Sequence, residues 1–170
     1  INCQQDYTVI DGIQVCSTYT GISTNRYAIG VSNAIGCVIK NSILKATGVG
    51  EYTLGIWASG SSHQVINCIA YDFAVYGIRA SNDTATADDS LVYNCTAYNN
   101  GTGIATSTAD YRTYKTQWHN NVAYGNTTDF DGLNFDASSS NNASYDGTAP
   151  STNEVDLSGY TAAQIWTNAG

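Results

Sequence analysis

The fold is decided by a short segment, Val65-Ile66-Asn67-Cys68-Ile69-Ala70-Tyr71, that recurs along the chain at a nearly constant spacing. Its other copies are Ile39-Lys40-Asn41-Ser42-Ile43-Leu44-Lys45, Val92-Tyr93-Asn94-Cys95-Thr96-Ala97-Tyr98 and Trp118-His119-Asn120-Asn121-Val122-Ala123-Tyr124. The aligned asparagines are 26, 27 and 26 residues apart. A repeat of this length indicates one structural unit per period, stacked on its neighbours to bury a shared core.

A second marker, a glycine followed by an aliphatic residue, recurs out of phase with the first. It reads Gly30-Val31, Gly55-Ile56, Gly77-Ile78 and Gly103-Ile104. The intervening apolar runs are short and lack the 3.6-residue period of a helix, whereas Asn and Gly tolerate the left-handed backbone of tight corners. The pattern therefore predicts an all-β fold, a β-solenoid of about 5–6 coils of ~26 residues, in which each strand pairs with its counterpart one coil away.

The repeated Asn-[Cys/Ser/Asn]-x-[Ala/Leu] motif with its Gly-Ile element resembles the right-handed parallel β-helix repeat proteins of the pectate-lyase-like superfamily. The early unit Val9-Ile10-Asp11-Gly12-Ile13-Gln14-Val15 is similar to first coils of such proteins, and Asp146-Gly147-Thr148-Ala149-Pro150 resembles the irregular end of the helix. The resemblance covers roughly residues 7–148. We expect coils over residues 1–148 and an irregular capping or docking segment over 149–170. The resemblance implies a fold and not a function, because this architecture carries enzymes, adhesins and fibres.

Stacked coils place equivalent residues in columns. We expect Asn41, Asn67, Asn94 and Asn120 to form a structural ladder at one corner, joined by amide hydrogen bonds. Alternation along the strand that follows predicts inward-facing pairs. These are Ser42/Leu44, Cys68/Ala70, Cys95/Ala97 and Asn121/Ala123.

Two outward columns are candidate carbohydrate-binding stripes. One contains Tyr71, Tyr98 and Tyr124, whose rings could stack on sugars or on each other. The other places Trp57 beside Arg79 on adjacent coils, which predicts a cation–π pair.

The composition restricts the partners. The chain has six Lys and Arg residues and 14 Asp and Glu residues, which gives a net charge of -8 and argues against nucleic-acid binding. The sequence has no apolar run long enough to span a membrane and no Met, so we expect no membrane insertion and a processed product or a piece of a longer protein. Low charge with abundant Asn, Ser and Thr favours an extracellular or cell-surface location.

The five cysteines cannot all pair within one chain. In an oxidising compartment a Cys3–Cys16 disulfide could fix the N-terminal end. Cys68 and Cys95 would lie on adjacent coils, either as buried thiols or as a disulfide.

Other candidate sites are weaker. Asn82, Asn100, Asn126 and Asn142 begin sequons in predicted outer turns and could be glycosylated. We expect no cofactor and no metal of the zinc type, although the pairs Asp88/Asp89 and Asp129/Asp131 could bind Ca²⁺ loosely. The sequence contains no catalytic motif, and we assign no catalytic residue.

The sequence thus favours a non-enzymatic structural or display module of an extracellular fibre, cell surface or virion, which self-associates end to end or contacts neighbouring domains of its own polypeptide. Two alternatives on the same fold are a polysaccharide-acting enzyme, either a lyase or a glycoside hydrolase, and an adhesin that binds glycans.

Overall fold

The computed structural model describes residues 1–19, 26–48, 53–82, 90–106, 116–132, 135–150 and 153–166. Within these ranges the chain forms three parallel sheets. Sheet A has six strands in the order β1 (Asn2–Cys3), β4 (Arg26–Ile35), β7 (Thr53–Ser61), β10 (Tyr76–Asn82), β13 (Thr102–Ala105) and β16 (Thr128–Asp131).

Sheets B and C complete each turn. Sheet B runs β14 (Gln117–His119), β11 (Leu91–Tyr93), β8 (Gln64–Ile66), β5 (Val38–Lys40) and β2 (Val9–Asp11). Sheet C runs β18 (Val155–Asp156), β17 (Ala143–Ser144), β15 (Val122–Tyr124), β12 (Thr96–Tyr98), β9 (Ile69–Tyr71), β6 (Ile43–Ala46) and β3 (Gln14–Ser17). The chain passes from A to B to C and then begins the next turn.

This is the all-β parallel solenoid that the repeat predicts. The molecule has about four turns, slightly fewer than the five to six expected. The difference arises at the ends, where the degenerate units contribute strands of only two residues, such as β1, β17 and β18. The full repeats pair in the predicted register, with Tyr98 opposite both Tyr71 and Tyr124.

The chain turns from sheet B to sheet C at residues with a left-handed backbone conformation. Asn41, Asn67, Asn94 and Asn120 all have φ between 52° and 55° and are exposed. The Asn67 amide nitrogen donates to the Asn41 Oδ1 at 2.8 Å, and the Asn41 amide donates to Asp11 at 2.7 Å. The corner thus combines a backbone conformation that Asn tolerates with bonds that join successive turns.

The core lies in the lumen between the three sheets. Every inward residue predicted after the corner asparagines is buried: Ser42, Leu44, Cys68, Ala70, Cys95, Ala97, Asn121 and Ala123. Sheet A adds a column of large side chains from successive turns: Ile29, Ile56, Ile78, Ile104 and Phe130. Small residues from sheet C therefore face large residues from sheet A across a narrow lumen.

Three glycines of the second marker, Gly55, Gly77 and Gly103, lie in one column of sheet A where turns approach closely. The alignment of Gly30-Val31 with them is wrong, because Gly30 pairs with Trp57 and Val31 with Ala58. A Cβ on Gly55 would lie 2.3 Å from the carbonyl oxygen of Gly77 in the next turn. A Cβ on Gly77 would lie 2.8 Å from the carbonyl oxygen of Gly103. The absence of a side chain at Gly55 and Gly77 therefore permits this close approach of successive turns.

The C-terminal segment continues the solenoid before it leaves it. Strand β18 pairs with β17 and so extends sheet C beyond residue 148. A five-residue helix, α1 (Ala162–Trp166), follows. No helix among the described residues is long and apolar enough to cross a membrane.

Candidate functional site

The tyrosine column lies on the outer face of sheet C. The rings of Tyr98 and Tyr124 stack with their centroids 6.2 Å apart and their planes 10° from parallel. Lys45, one turn earlier, places its ammonium 5.4 Å from the centroid of the Tyr71 ring. All three tyrosines are half-buried. Because Tyr98 and Tyr124 stack on each other and Lys45 lies over Tyr71, the faces that would stack on a sugar are partly occupied.

The same column attaches the C-terminal segment to the coils. The Tyr124 hydroxyl donates to the carbonyl oxygen of Tyr160 at 3.1 Å. The ring of Tyr145 meets the Tyr124 ring edge-on, with centroids 5.2 Å apart. The contacts of this column thus hold successive turns and the C-terminal segment together.

A second aromatic cluster lies on the outer face of sheet A and contains the predicted cation–π pair. Arg79 lies opposite Trp57 in the β7–β10 register, with its guanidinium carbon 5.9 Å from the Trp57 ring centroid and 5.1 Å from that of Tyr76. Tyr27 packs edge-on against Trp57 at 5.5 Å. We call Tyr27, Trp57, Tyr76 and Arg79 the sheet A cluster.

This cluster contains two polar groups without a partner. Both Trp57 Nε1 and Arg79 Nε are buried from solvent and find no hydrogen-bond acceptor in the structure as described. Buried donors of this kind are costly unless an acceptor reaches them. An aromatic surface with unpartnered N–H groups and a permanent positive charge suits a ligand rich in hydroxyl or carboxylate oxygens.

A shallow groove of about 670 Å³ follows the corner between sheets C and A. Its charged groups already interact with each other, since Asp72 lies 3.9 Å from Lys45 and accepts a hydrogen bond from the Asn99 amide at 2.7 Å. This groove therefore presents polar groups that are largely engaged within the protein.

Sequence reasoning missed a ladder of buried amides inside the solenoid. Asn121 Oδ1 accepts the backbone N–H of Cys95 at 2.9 Å, and Asn142 Oδ1 accepts the N–H of Asn121 at 3.1 Å. The side-chain nitrogen of Asn121 donates to the carbonyl oxygen of Val92, and that of Asn142 donates to Trp118. Both asparagines are fully buried. The signal was present as the doublets Asn120-Asn121 and Asn141-Asn142, in which the first residue turns the corner and the second faces inward.

A second inner ladder ends on a carboxylate. Asn100 Oδ1 accepts the N–H of Phe73, Asn126 Oδ1 accepts the N–H of Asn100, and Asp129 Oδ1 accepts from the Asn126 amide. Asp129 Oδ2 accepts the N–H of Tyr145 at 2.6 Å. Burial raises the pKa of Asp129, although these hydrogen bonds act in the opposite direction.

The sequons do not all lie where the sequence predicted. The placement of Asn100 and Asn142 in outer turns is wrong, because both side chains are buried in the inner ladders. Asn126 is half-buried, and its amide donates to Ala97 and Asp129. Asn82 ends β10, but its side chain and the rest of its sequon lie outside the described residues.

All five cysteines are free thiols, so the Cys3–Cys16 disulfide is not formed. Cys3 lies on a strand of sheet A and Cys16 on the outer face of sheet C, which separates the two side chains. Cys68 and Cys95 lie on adjacent turns as buried thiols, and burial raises the pKa of Cys95.

The Asp129/Asp131 pair, one of the two expected to bind Ca²⁺ loosely, is not assembled as a cation site. Asp129 is buried and occupied by N–H donors, while Asp131 is half-exposed at the end of β16. Asp88 and Asp89 lie outside the described residues. In the described ranges no three His, Cys, Asp or Glu side chains lie together as metal ligands.

Comparison with known proteins places these features in no established family: no family model, no curated protein and no solved structure matches the chain.

Proposed function

We propose that the protein is a non-enzymatic structural or display module of an extracellular fibre, cell surface or virion, whose copies stack end to end. The observation that carries this proposal is the continuity of its side-chain columns. The outer asparagine corner, the buried amides and the tyrosine column all join one turn to the next. A molecule held together in this way can be extended by adding turns from another copy.

Such an extension would use the two outermost strands of sheet C among the described residues. Sheet C has β3 as its outermost strand at one end and β18 at the other. The carbonyl groups of Ile13 and Ser17 bond to the second turn. Since alternate residues of a parallel strand bond to opposite sides, the N–H groups of Gln14 and Cys16 point toward the open edge.

Apolar side chains lie near both of these outermost strands. In the first turn Ile10 and Val15 are only partly buried, whereas their second-turn counterparts Ile39 and Leu44 are buried completely. At the other end Val155 and Tyr160 are exposed. Pairing β18 of one copy with β3 of the next continues sheet C and covers these side chains. Because the two surfaces differ, the contact is head to tail and produces a filament rather than a closed dimer.

Sedimentation velocity over a range of concentrations, with electron microscopy of the same samples, tests this function. We expect reversible end-to-end oligomers. Gln14→Pro removes an N–H that faces the open edge and should shift the protein toward monomer, whereas the matched variant Gln14→Ala keeps that N–H and should associate normally. A strictly monomeric wild-type protein at high concentration would overturn the proposal.

A second candidate function, glycan binding, is favoured by the unpartnered donors of the sheet A cluster. Trp57→Phe keeps an aromatic ring and removes one donor, so a glycan that binds there should lose roughly tenfold in affinity. Tyr98→Phe on sheet C is the matched control and should not change binding. Equal binding by wild type and Trp57→Phe on a glycan array, or no binding by either, rules this candidate out.

A further inference from the structure

Two cysteines of the first and second turns approach the same backbone oxygen. The Cys37 Sγ lies 3.2 Å from the carbonyl oxygen of Gln5, and the Cys3 Sγ lies 4.0 Å from the same atom. The two sulfur atoms are therefore no farther apart than the sum of these distances. The pair thus shares one acceptor between two successive turns.

Both thiols belong to the same end of the lumen. Cys3 lies opposite the inward-facing Val31 and packs against the core cluster that contains Cys37. The backbone N–H of Cys37 donates to His63 Nδ1 at 3.2 Å, which fixes the residue at its corner. Cys3 is half-buried and Cys37 is buried, so both face the core rather than opposite sides of a sheet.

The intervening segment holds the two cysteines close together. The N–H of Ile35 donates to Asp6 Oδ1 at 2.8 Å, and the N–H of Tyr7 donates to the carbonyl oxygen of Ile35 at 2.8 Å. The chain just after Cys3 is thereby bonded to the chain just before Cys37. Rotation of the two side chains about χ1 is then the movement that brings the sulfur atoms together.

We propose that Cys3 and Cys37 form an intramolecular disulfide when the protein meets a low-molecular-weight disulfide oxidant such as oxidised glutathione. The thiolate of Cys3 attacks one sulfur of the oxidant, forms a mixed disulfide and releases one glutathione thiol. The Cys37 thiolate then attacks the Cys3 sulfur and releases the second glutathione. In total the two protein thiols lose two electrons and two protons, and one oxidant disulfide becomes two thiols.

The order of the two attacks follows from the surroundings of each thiol. Cys3 is the more accessible, and hydrogen bonding with Thr8 and Gln5 lowers its pKa. Burial raises the pKa of Cys37. Cys3 is therefore the first nucleophile and Cys37 the resolving thiol. The bond would attach the first turn to the second, and it stands independently of the function proposed above.

Peptide mapping of the 170-residue protein under non-reducing conditions tests the proposal. The protein is reduced, exchanged into oxidised glutathione, alkylated and digested. We expect a cross-linked peptide that joins Cys3 to Cys37, an intact mass lower by two hydrogens, and a melting temperature higher by roughly 10 °C than that of the reduced protein.

Variants at the other N-terminal cysteine distinguish the pairs. Cys16→Ser should keep the cross-link, and Cys3→Ser should abolish it together with the gain in melting temperature. Circular dichroism of reduced Cys3→Ser checks that the fold persists, since this side chain is only partly buried. A Cys3–Cys16 peptide, or full alkylation of Cys3 after oxidation of a folded protein, would overturn the assignment.

Discussion

Asparagine has two different roles in this molecule, and the role depends on which way the side chain points. At the outer corner its value is conformational, because Asn67 adopts a φ of 52° while its amide reaches the preceding turn. Inside the lumen its value is chemical, because Asn142 supplies an acceptor and a donor to backbone groups that no water can reach. The same residue type should therefore respond very differently to substitution at the two places.

Asn142→Ala should destabilise the protein strongly. It removes the acceptor of the Asn121 N–H and the donor to Trp118, both of them buried. Leaving such groups unpaired costs on the order of 3 kcal/mol in the free energy of unfolding. Asn67→Gly keeps the left-handed corner and loses one exposed hydrogen bond, so it should cost less than about 1 kcal/mol. Urea unfolding of both variants checks the difference, and equal losses would refute it.

Asp129 should give the last turn a distinctive pH dependence. Its folded-state pKa is raised by burial, so the folded protein binds this proton more tightly than the unfolded chain does. Its contribution to stability is then fully present below the ordinary Asp pKa and declines as the pH rises through the higher folded value.

Comparison with Asp129→Asn isolates that contribution, because the variant cannot titrate at this position. The stability advantage of wild type over the variant should be largest near about pH 4 and should shrink toward pH 7. Urea midpoints at several pH values measure it. An advantage that grows with pH would mean that the hydrogen bonds from Asn126 and Tyr145 outweigh desolvation.

The outer asparagines could be predicted because a left-handed corner recurs at every turn and leaves a periodic mark. The inner ones could not be aligned in that way. The inward position after the corner is Ser42, Cys68, Cys95 and Asn121 in successive turns, because any small side chain that bonds or fits there is acceptable. At a position in the lumen, the side-chain volume and the hydrogen bonds of its polar groups are constrained, but the residue type is not.

Individual strands here are too short to be stable alone, and their stability comes from contact with the same element one turn away. The close approach of the third and fourth turns depends on glycine in sheet A, since the nearest atom to a Cβ on Gly55 would be the backbone oxygen of Gly77. The register of the Trp57–Arg79 pair could be predicted from the repeat. The burial of their donor nitrogens could not, because the repeat determines which residues are neighbours and not how deeply each atom is buried.

Gly55→Ala should separate the third and fourth turns locally. The new methyl group would lie 2.3 Å from the Gly77 carbonyl oxygen, so the strands must move apart, at a cost of about 2 kcal/mol or more. Gly159→Ala is the matched control, since nothing lies within 4 Å of a Cβ there, and it should change stability by less than about 0.5 kcal/mol. Thermal unfolding of the two variants tests this, and similar melting temperatures would contradict a close approach of the turns.

At the scale of the whole molecule, charge opposes the proposed stacking. The chain carries a net charge of -8, and both ends contribute acidic groups: Asp6 and Asp11 at the first turn, Glu154 and Asp156 at the last. Lys40 lies 3.3 Å from Asp11 and offsets only part of this charge. Apolar burial and strand pairing must therefore overcome repulsion between like-charged surfaces.

Salt should consequently promote association. Raising the ionic strength from about 0.01 M to 0.15 M shortens the screening length from roughly 30 Å to 8 Å, which weakens repulsion between whole copies while leaving strand pairing intact. We expect the weight-average sedimentation coefficient at fixed concentration to rise over this range. Gln14→Pro should associate less than wild type at every ionic strength, because its open edge lacks this N–H whatever the salt. If added salt instead dissociates wild-type oligomers, the contact depends on ion pairs, and pairing of β18 with β3 is not what joins the copies.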